Sequence, residues 1–239
     1  MRLLLTNDDG YESEGITVLA AELEKRHEVW IVAPDSERSG TSHAMTLKNA
    51  SKIKQVGERR FTCSGMPADC VILSTLGILP HKPDAVLSGI NRGPNLGTDL
   101  IYSGTAAAAR QAVLMGIPGI AASLATFTAP FHFAPAARFI ADRLEALLGL
   151  WREGLFLNLN FPNVEQLRGE IRTGRISNRT YNDCLKSFTA PDGTVFCFLA
   201  DGCITTDPEE GTDWWLVEQG HVSLSRVHAR PSCQEDGDE

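Results

Sequence analysis

The stretch Leu3-Leu4-Leu5-Thr6-Asn7-Asp8-Asp9-Gly10 reads as an apolar strand ending in two adjacent carboxylates and a glycine. A strand apolar on both faces belongs in the middle of a parallel sheet, and such sheets bind ligands beyond the carboxyl ends of their strands. Asp8 and Asp9 fall at that place. Successive strand side chains point to opposite faces, so the two carboxylates converge on one ligand only if the chain turns, which Gly10 permits. Paired carboxylates repel, and a divalent cation that prefers hard oxygen ligands, such as magnesium, manganese or calcium, relieves the repulsion. From these residues alone a second reading stays open: Asp8 as a helix N-cap and Asp9 as a solvated turn residue.

Outward from this stretch, Ile16, Leu19, Ala20 and Leu23 recur at helical spacing, and residues 28–33 form another apolar strand before Pro34. The right-handed crossover of this βαβ unit puts both carboxyl ends on one edge, so residues 35–47 face the acidic pair. A helix opening at Pro67 carries Ala68, Val71, Ile72, Leu76 and Leu79 on one face and leads to a strand over 84–88. Residues 89–97, Gly-Ile-Asn-Arg-Gly-Pro-Asn-Leu-Gly, are so rich in turn formers that a loop is predicted rather than regular structure. Ser103, Gly104 and Thr105 begin a small-residue helix over 106–115, closed by Gly116. A strand over 120–123, a helix over 135–148 and a strand over 155–160 follow. The alternation then gives way to short strands over 171–176, 195–199 and 222–227, with Asp192-Gly193 as a hairpin turn in a projecting arm over 182–199.

The expected fold is α/β and Rossmann-like: a mostly parallel sheet with helices on both faces, plus a C-terminal β-rich extension with a projecting hairpin. A catalytic domain is assigned to residues 1–165. Residues 166–239 form a hairpin and oligomerisation region packed on it, with an acidic tail from about 231. An isolated hairpin is marginal in water, so the arm, with Phe188, Phe196 and Phe198, is expected to pack on another subunit.

The composition, 43% hydrophobic and 22% charged, is that of a soluble globular protein, and no apolar run approaches the roughly 20 residues that span a bilayer. No charged and apolar leader precedes the first strand, so a cytoplasmic location is expected. The six cysteines include no CxxC or CxxxC spacing, which favours free thiols over a zinc site. A net charge of −8 argues against nucleic-acid binding. The run 235–239 is expected to be a solvated tail.

Collected at one sheet edge are Asp8 and Asp9, Ser39 and Gly40, Asn91 and Asn95, and Ser103, Gly104 and Thr105. Carboxylate, amide and hydroxyl oxygens suit magnesium bound alongside a substrate phosphate, and a helix N-terminus offers N–H groups to that phosphate. Singly each residue reads as a cap or turn former; together they point to phosphoryl chemistry. The first βα turn lacks GxGxxG, and an acidic pair there repels a pyrophosphate, which argues against a dinucleotide-dependent oxidoreductase.

These segments resemble the SurE family, the survival-protein nucleotidases. The resemblance is carried by Thr6-Asn7-Asp8-Asp9-Gly10, Ala33-Pro34-Asp35 with Arg38-Ser39-Gly40, Ser88-Gly89-Ile90-Asn91 with Gly93-Pro94-Asn95-Leu96-Gly97, and Tyr102-Ser103-Gly104-Thr105. Weaker echoes are Gly65-Met66-Pro67-Ala68-Asp69, Asn158-Leu159-Asn160, Gly211-Thr212-Asp213 and Gly220-His221-Val222-Ser223. The resemblance implies metal ligation by Asp8, Asp9, Ser39 and Asn91, one magnesium or manganese ion per subunit, and phosphate contacts from Gly40, Asn95, Ser103, Gly104 and Thr105. It implies hydrolysis of nucleoside 5′- or 3′-monophosphates, sometimes of short polyphosphate, by a homodimer or homotetramer. Asp8 and Asp9 are then catalytic, with Asp8 open as ligand, base or nucleophile and metal-activated water the favoured attack. His43 is a candidate proton donor to the leaving oxygen, against a structural alternative. The alternative to an enzyme is a metal- and nucleotide-binding regulator without turnover. Two departures stand out: Gln111-Ala112 replaces a common Glu-Gly pair, and little chain follows His228 where many relatives continue into a helix that embraces a partner.

Overall fold

Leu3, Leu4 and Leu5 are completely buried, with Leu3 and Leu5 in the core on one face of the sheet and Leu4 on the other. The computed structural model describes residues 1–231. The chain runs β1 (Arg2–Thr6), α1 (Glu14–Leu23), β2 (Glu28–Pro34), β3 (Ile53–Gly57), β4 (Arg60–Cys63), α2 (Pro67–Leu73), β5 (Ala85–Arg92), α3 (Gly104–Leu114), β6 (Gly119–Leu124) and α4 (Phe133–Leu150). It continues through β7 (Leu155–Phe161), β8 (Ile171–Thr173), β9 (Arg179–Thr189), β10 (Val195–Thr206), α5 (Asp213–Glu218) and β11 (Val222–His228).

Among the described residues nine strands form one sheet, in the order β3-β4-β2-β1-β5-β6-β7-β11-β8, and β9 pairs with β10 in a separate ribbon. From β4 through β7 all neighbours are parallel; β3 and β11 join antiparallel on either side. The chain winds outward from β1 to β2 and β4, then returns to wind the other way through β5, β6 and β7. The order reverses between β1 and β5, and loops leaving the carboxyl ends of such a pair part to leave a ligand crevice.

Helices cover both faces. Ile16, Leu19, Ala20 and Leu23 of α1 pack with Phe133, Ile140 and Leu144 of α4 over Leu3, Leu5 and Leu87. On the other face α2 and α3 bring Cys70, Val71, Ala108 and Ala112 onto Leu4, Val32 and Val86. The alanines of α3 let it approach so closely that a Cβ on Gly119 of β6 would stand 2.1 Å from the Ala109 carbonyl oxygen.

The α/β architecture with a C-terminal hairpin matches the expectation, but several elements differ. Residues 89–92 are strand, not loop: β5 continues through Arg92, and the register break between Ser88 and Asn91 absorbs Gly89 before pairing resumes as Asn91 with Ser123. The helix from Pro67 ends at Leu73 and passes into a π-helical turn over Ser74–Ile78, which rotates Leu76 to 74% exposure. The strand expected over 171–176 stops at Thr173, whereas the arm is longer than 182–199, reaching from Arg179 to Thr206. The β3–β4 hairpin and α5 were not legible from periodicity, because β3 is almost wholly exposed and α5 has only 6 residues. Cys63, Cys70, Cys184, Cys197 and Cys203 are free thiols. The acidic run 235–239 and Cys233 lie outside the described residues. Among the described residues no helix is long and apolar enough to cross a membrane.

Candidate metal and phosphate site

Asn7 builds the turn after β1. Its Nδ2 donates to the Gly10 carbonyl at 2.8 Å and to Ser13 Oγ at 2.7 Å, while Gly10 adopts φ +97°, open to glycine without strain. The Arg38 N–H donates to the Asp8 carbonyl at 2.7 Å, fastening the loop after β2 to this turn. The Asp8 side chain is thereby aimed at the first turn of α3.

There the Thr105 hydroxyl donates to Asp8 Oδ1, and the Thr105 N–H donates to Oδ2 at 3.1 Å. Gly104 makes the approach possible, since a Cβ on it would stand 2.9 Å from Asp8 Cβ. Asp8 is only 3% exposed. Burial pushes its carboxyl up to about 6; the Thr105 hydroxyl opposes the rise and the Asp9 charge adds to it. Asp9 turns the other way and accepts the Arg92 N–H on Oδ2 at 2.9 Å. Burial raises its carboxyl too, against the pull of Arg92.

A cavity of about 400 Å³ opens at the β1–β5 crevice, within the usual size range of small-molecule sites. Asp8, Ser39, Gly40, Asn91, Asn95 and Ser103, all singled out in the sequence, are brought together in its lining. Asp9 lines a neighbouring cavity of about 340 Å³ instead, and Arg92 borders both. Gly104 and Thr105 back the Asp8 carboxylate rather than lining the wall. His43 is elsewhere: its Nε2 meets Gln111 Oε1 at 2.9 Å, and it borders a separate cavity with Arg110 and His228. The proton-donor role for His43 has no geometric support.

The donor set suits a hard cation. Asn91 spends Nδ2 on the Gly93 carbonyl at 2.8 Å, which leaves Oδ1 as an acceptor, and Ser39 Oγ donates to Glu37 Oε1 at 3.0 Å while keeping its own lone pairs. Among the described residues no three His, Cys, Asp or Glu side chains cluster as a metal cage. The Asp8 carboxylate with the neutral oxygens of Ser39 and Asn91 and room for water fits magnesium or manganese better than zinc, and Asp9, whose Oδ2 takes the Arg92 N–H, keeps Oδ1 as the oxygen it has to add from the neighbouring side.

Asn95 is clamped from β7. Its N–H donates to Asn160 Oδ1 at 2.9 Å, and its carbonyl accepts from Asn158 Nδ2 at 2.9 Å and Asn160 Nδ2 at 3.0 Å. The Asn95 side chain donates to Ser123 Oγ at 2.7 Å. Ser103 caps α3 by accepting the Ala106 N–H at 2.9 Å. Asp213, completely buried, accepts the Gly97 N–H at 2.8 Å and the Ser177 N–H at 2.9 Å, tying the same loop to the base of the arm. The motif echoes at Asn158-Leu159-Asn160 and Gly211-Thr212-Asp213 are therefore supports for the Asn95 loop, and Asp69 caps α2 through the Met66 N–H at 2.8 Å. Two amides on a buried central strand were the signal available for Asn158 and Asn160, because such groups are kept only when partnered. Glu37, Asp99, Phe127 and Tyr181 also line the cavity and sequence reasoning missed them, while Tyr102, quoted in a motif but given no role, lines it too.

The doubly wound sheet and the oxygen-lined cavity at its switch point define a Rossmann-like α/β protein with an acidic small-molecule site. The family described as survival protein SurE matches residues 3–183. The chain is 39% identical over 237 residues to the 5′-nucleotidase SurE of Pelotomaculum thermopropionicum, covering 95% of this chain and 89% of that one. It is 41% identical over 235 residues to the 5′-nucleotidase SurE of Desulfitobacterium hafniense, with 96% and 91% covered. The crystal structure of SurE protein from Aquifex aeolicus matches with a TM-score of 0.84 at 36% identity, covering 97% of this chain and 95% of that one. The chain belongs to the SurE family.

Proposed function

We propose that this protein is a metal-dependent nucleotidase that hydrolyses nucleoside 5′-monophosphates to nucleoside and phosphate, with 3′-monophosphates and short polyphosphate as further substrates. The names of its relatives support the reaction. The observation that carries the chemistry is the buried Asp8 carboxylate, held by the first turn of α3 in the wall of an oxygen-lined cavity. A charge so desolvated is costly alone and is offset by a cation.

Asp8, Asp9, Ser39 and Asn91 would hold one magnesium or manganese ion. Such an ion supplies charge neutralisation for the phosphoryl oxygens and lowers the pKa of water. Asn95 and Ser103 receive the phosphate beside the positive end of α3, where N–H groups and the helix dipole favour an anion. The Asn158–Asn160 clamp keeps the Asn95 loop in register with β7, so the phosphate is positioned by a rigid strand. Water is the nucleophile. The working unit is a homodimer or homotetramer, with residues 166–239 supplying contacts between subunits.

The test is inorganic phosphate release from a panel of nucleoside monophosphates, with and without magnesium or manganese, for wild type and Asp8→Ala. Metal-dependent release that the substitution abolishes is expected. Silence across the panel from a folded, metal-loaded protein would overturn the proposal in favour of a binding role.

A further inference from the structure

Three aromatic rings stand on the wall of the Asp8 cavity: Tyr102 from the turn before α3, Phe127 from the loop after β6, and Tyr181 from β9. Phe127 is 64% exposed, Tyr102 53% and Tyr181 37%. Among the described residues none of them stacks on another ring. Several bare rings around one polar cavity mark a ligand surface rather than scattered exposure.

The rings are held in place. The Tyr181 hydroxyl donates to Asp99 Oδ1, and Arg179 Nη1 donates to Asp99 Oδ2 in an ion pair whose side chains are 6% and 9% exposed. The Arg179 N–H donates to Thr98 Oγ1 at 3.1 Å, so the base of β9 is fastened to the turn that leads into Ser103. Phe127 lies against the backbone of Gly93, where a Cβ would stand 3.3 Å from its ring. Gly93 is two residues from Asn91 and two from Asn95, which places the ring beside the proposed metal and phosphate positions.

The neighbouring cavity at Asp9 is also aromatic, but its main ring is already engaged. Phe131 stacks on Phe133 at 5.9 Å, and the Arg92 guanidinium lies over it at 5.9 Å. It offers no free face comparable to that of Phe127.

We infer that Tyr102, Phe127 and Tyr181 form the nucleobase platform of this site, so that the base is recognised by stacking on π-faces. The inference rests on the nucleotidase reading above. Every base has a π-face, so the platform accepts purines and pyrimidines alike and contributes to affinity by about tenfold or more for the stacked base. A sugar phosphate without a base gains nothing from it.

The experiment compares kcat/KM for AMP, GMP, CMP, UMP and ribose 5-phosphate in the full-length protein with manganese, for wild type, Phe127→Ala, Tyr181→Ala, Tyr181→Phe and Phe131→Ala. The four nucleotides are expected within about tenfold of one another, and each above ribose 5-phosphate by about tenfold or more. Phe127→Ala and Tyr181→Ala lower the ratio of AMP to ribose 5-phosphate, through KM rather than kcat, while Tyr181→Phe keeps most of it. Phe127 is exposed, so its replacement leaves the fold intact and the test does not hang on the tyrosine. Equal turnover of ribose 5-phosphate and AMP, a ratio unmoved in both alanine variants, or a ratio lowered by Phe131→Ala instead would overturn the inference. Calorimetric binding of the same compounds reads the platform without turnover. No phosphate release, with AMP still bound more tightly than ribose 5-phosphate through Phe127, would overturn the nucleotidase reading and uphold the platform.

Discussion

Thr105 holds both oxygens of Asp8, its hydroxyl donating to Oδ1 and its N–H to Oδ2. The hydroxyl also opposes the rise that burial imposes on the Asp8 carboxyl. Thr105→Val keeps the shape and removes the bond. A hydrogen bond to a charged group is worth about 1.5–3 kcal/mol, so kcat/KM for AMP is expected to fall about 10- to 100-fold. The acid limb of the pH–rate profile should move to higher pH, because the ionised carboxylate has lost a donor. Full activity with an unmoved acid limb would show that Thr105 does not position Asp8.

The raised Asp8 carboxyl also makes stability depend on pH. Its ordinary value is 3.8 and its folded value is about 6, so between these limits the folded protein binds more protons than the unfolded chain. Stability of the metal-free protein therefore falls as pH rises from about 4 to about 6, by about 3 kcal/mol, and the loss stays constant above that. Asp8→Asn cannot ionise and keeps an acceptor for Thr105. In urea titrations without metal it is expected to be more stable than wild type at pH 7.5, the gap closing toward pH 4. Manganese should restore wild type and not the variant, with its affinity for wild type weakening about tenfold per pH unit below about 6. A gap that does not change with pH would rule out a desolvated Asp8 charge.

The acidic pair, the parallel strands and the capped helix at Ser103 were legible because each is written locally, as an apolar run, a helical period or a cap. The supports were not. Asn158 and Asn160 are 63 and 65 residues from the Asn95 backbone they bind, and no local pattern names that partner. His43 looked close to the site because it follows Ser39 in sequence. Ser42, however, takes φ 53° and bonds the carbonyls of Tyr102 and Ile101, and the chain beyond it leads His43 to Gln111. Gly89 reads as the end of a strand, yet parallel pairing on both sides of the register break carries β5 through Arg92. Tyr181 reaches the cavity through the non-local Asp99 contact, which a hairpin signal alone does not reveal.

The clamp on Asn95 predicts a separable effect. Asn160 is completely buried and both of its amide atoms face the Asn95 backbone. Asn160→Leu removes an acceptor and a donor, leaving the Asn95 N–H without a partner in the interior. Unfolding free energy is expected to fall by about 1–3 kcal/mol, the cost of an unmade buried bond. Inhibition by inorganic phosphate should weaken as the Asn95 loop loosens, while manganese affinity, which the proposed site assigns to Asp8 and its neighbours, should change less. Equal losses of phosphate and metal binding would mean the clamp serves the whole edge rather than the phosphate loop.

The arm predicts an assembly. Phe188, Phe196 and Phe198 lie on one face of the β9–β10 ribbon, with Phe188 stacked on Phe196 at 4.9 Å, while Leu185 and Leu199 are paired on the other. Leu199 is 81% exposed, Leu185 69% and Phe188 55%, so neither face is covered by the described residues. A two-stranded ribbon that is apolar on both sides does not stand alone in water, and a second subunit is the cover it calls for. Deleting residues 182–199 joins Tyr181 to Ala200 and keeps the pairing of Tyr181 with Ile204 and the Arg179–Asp99 ion pair at the base. Light scattering should then report a smaller particle than wild type, with phosphate release retained by each subunit. An oligomer unchanged by the deletion would move the subunit contact away from the arm, to another surface of the α/β domain.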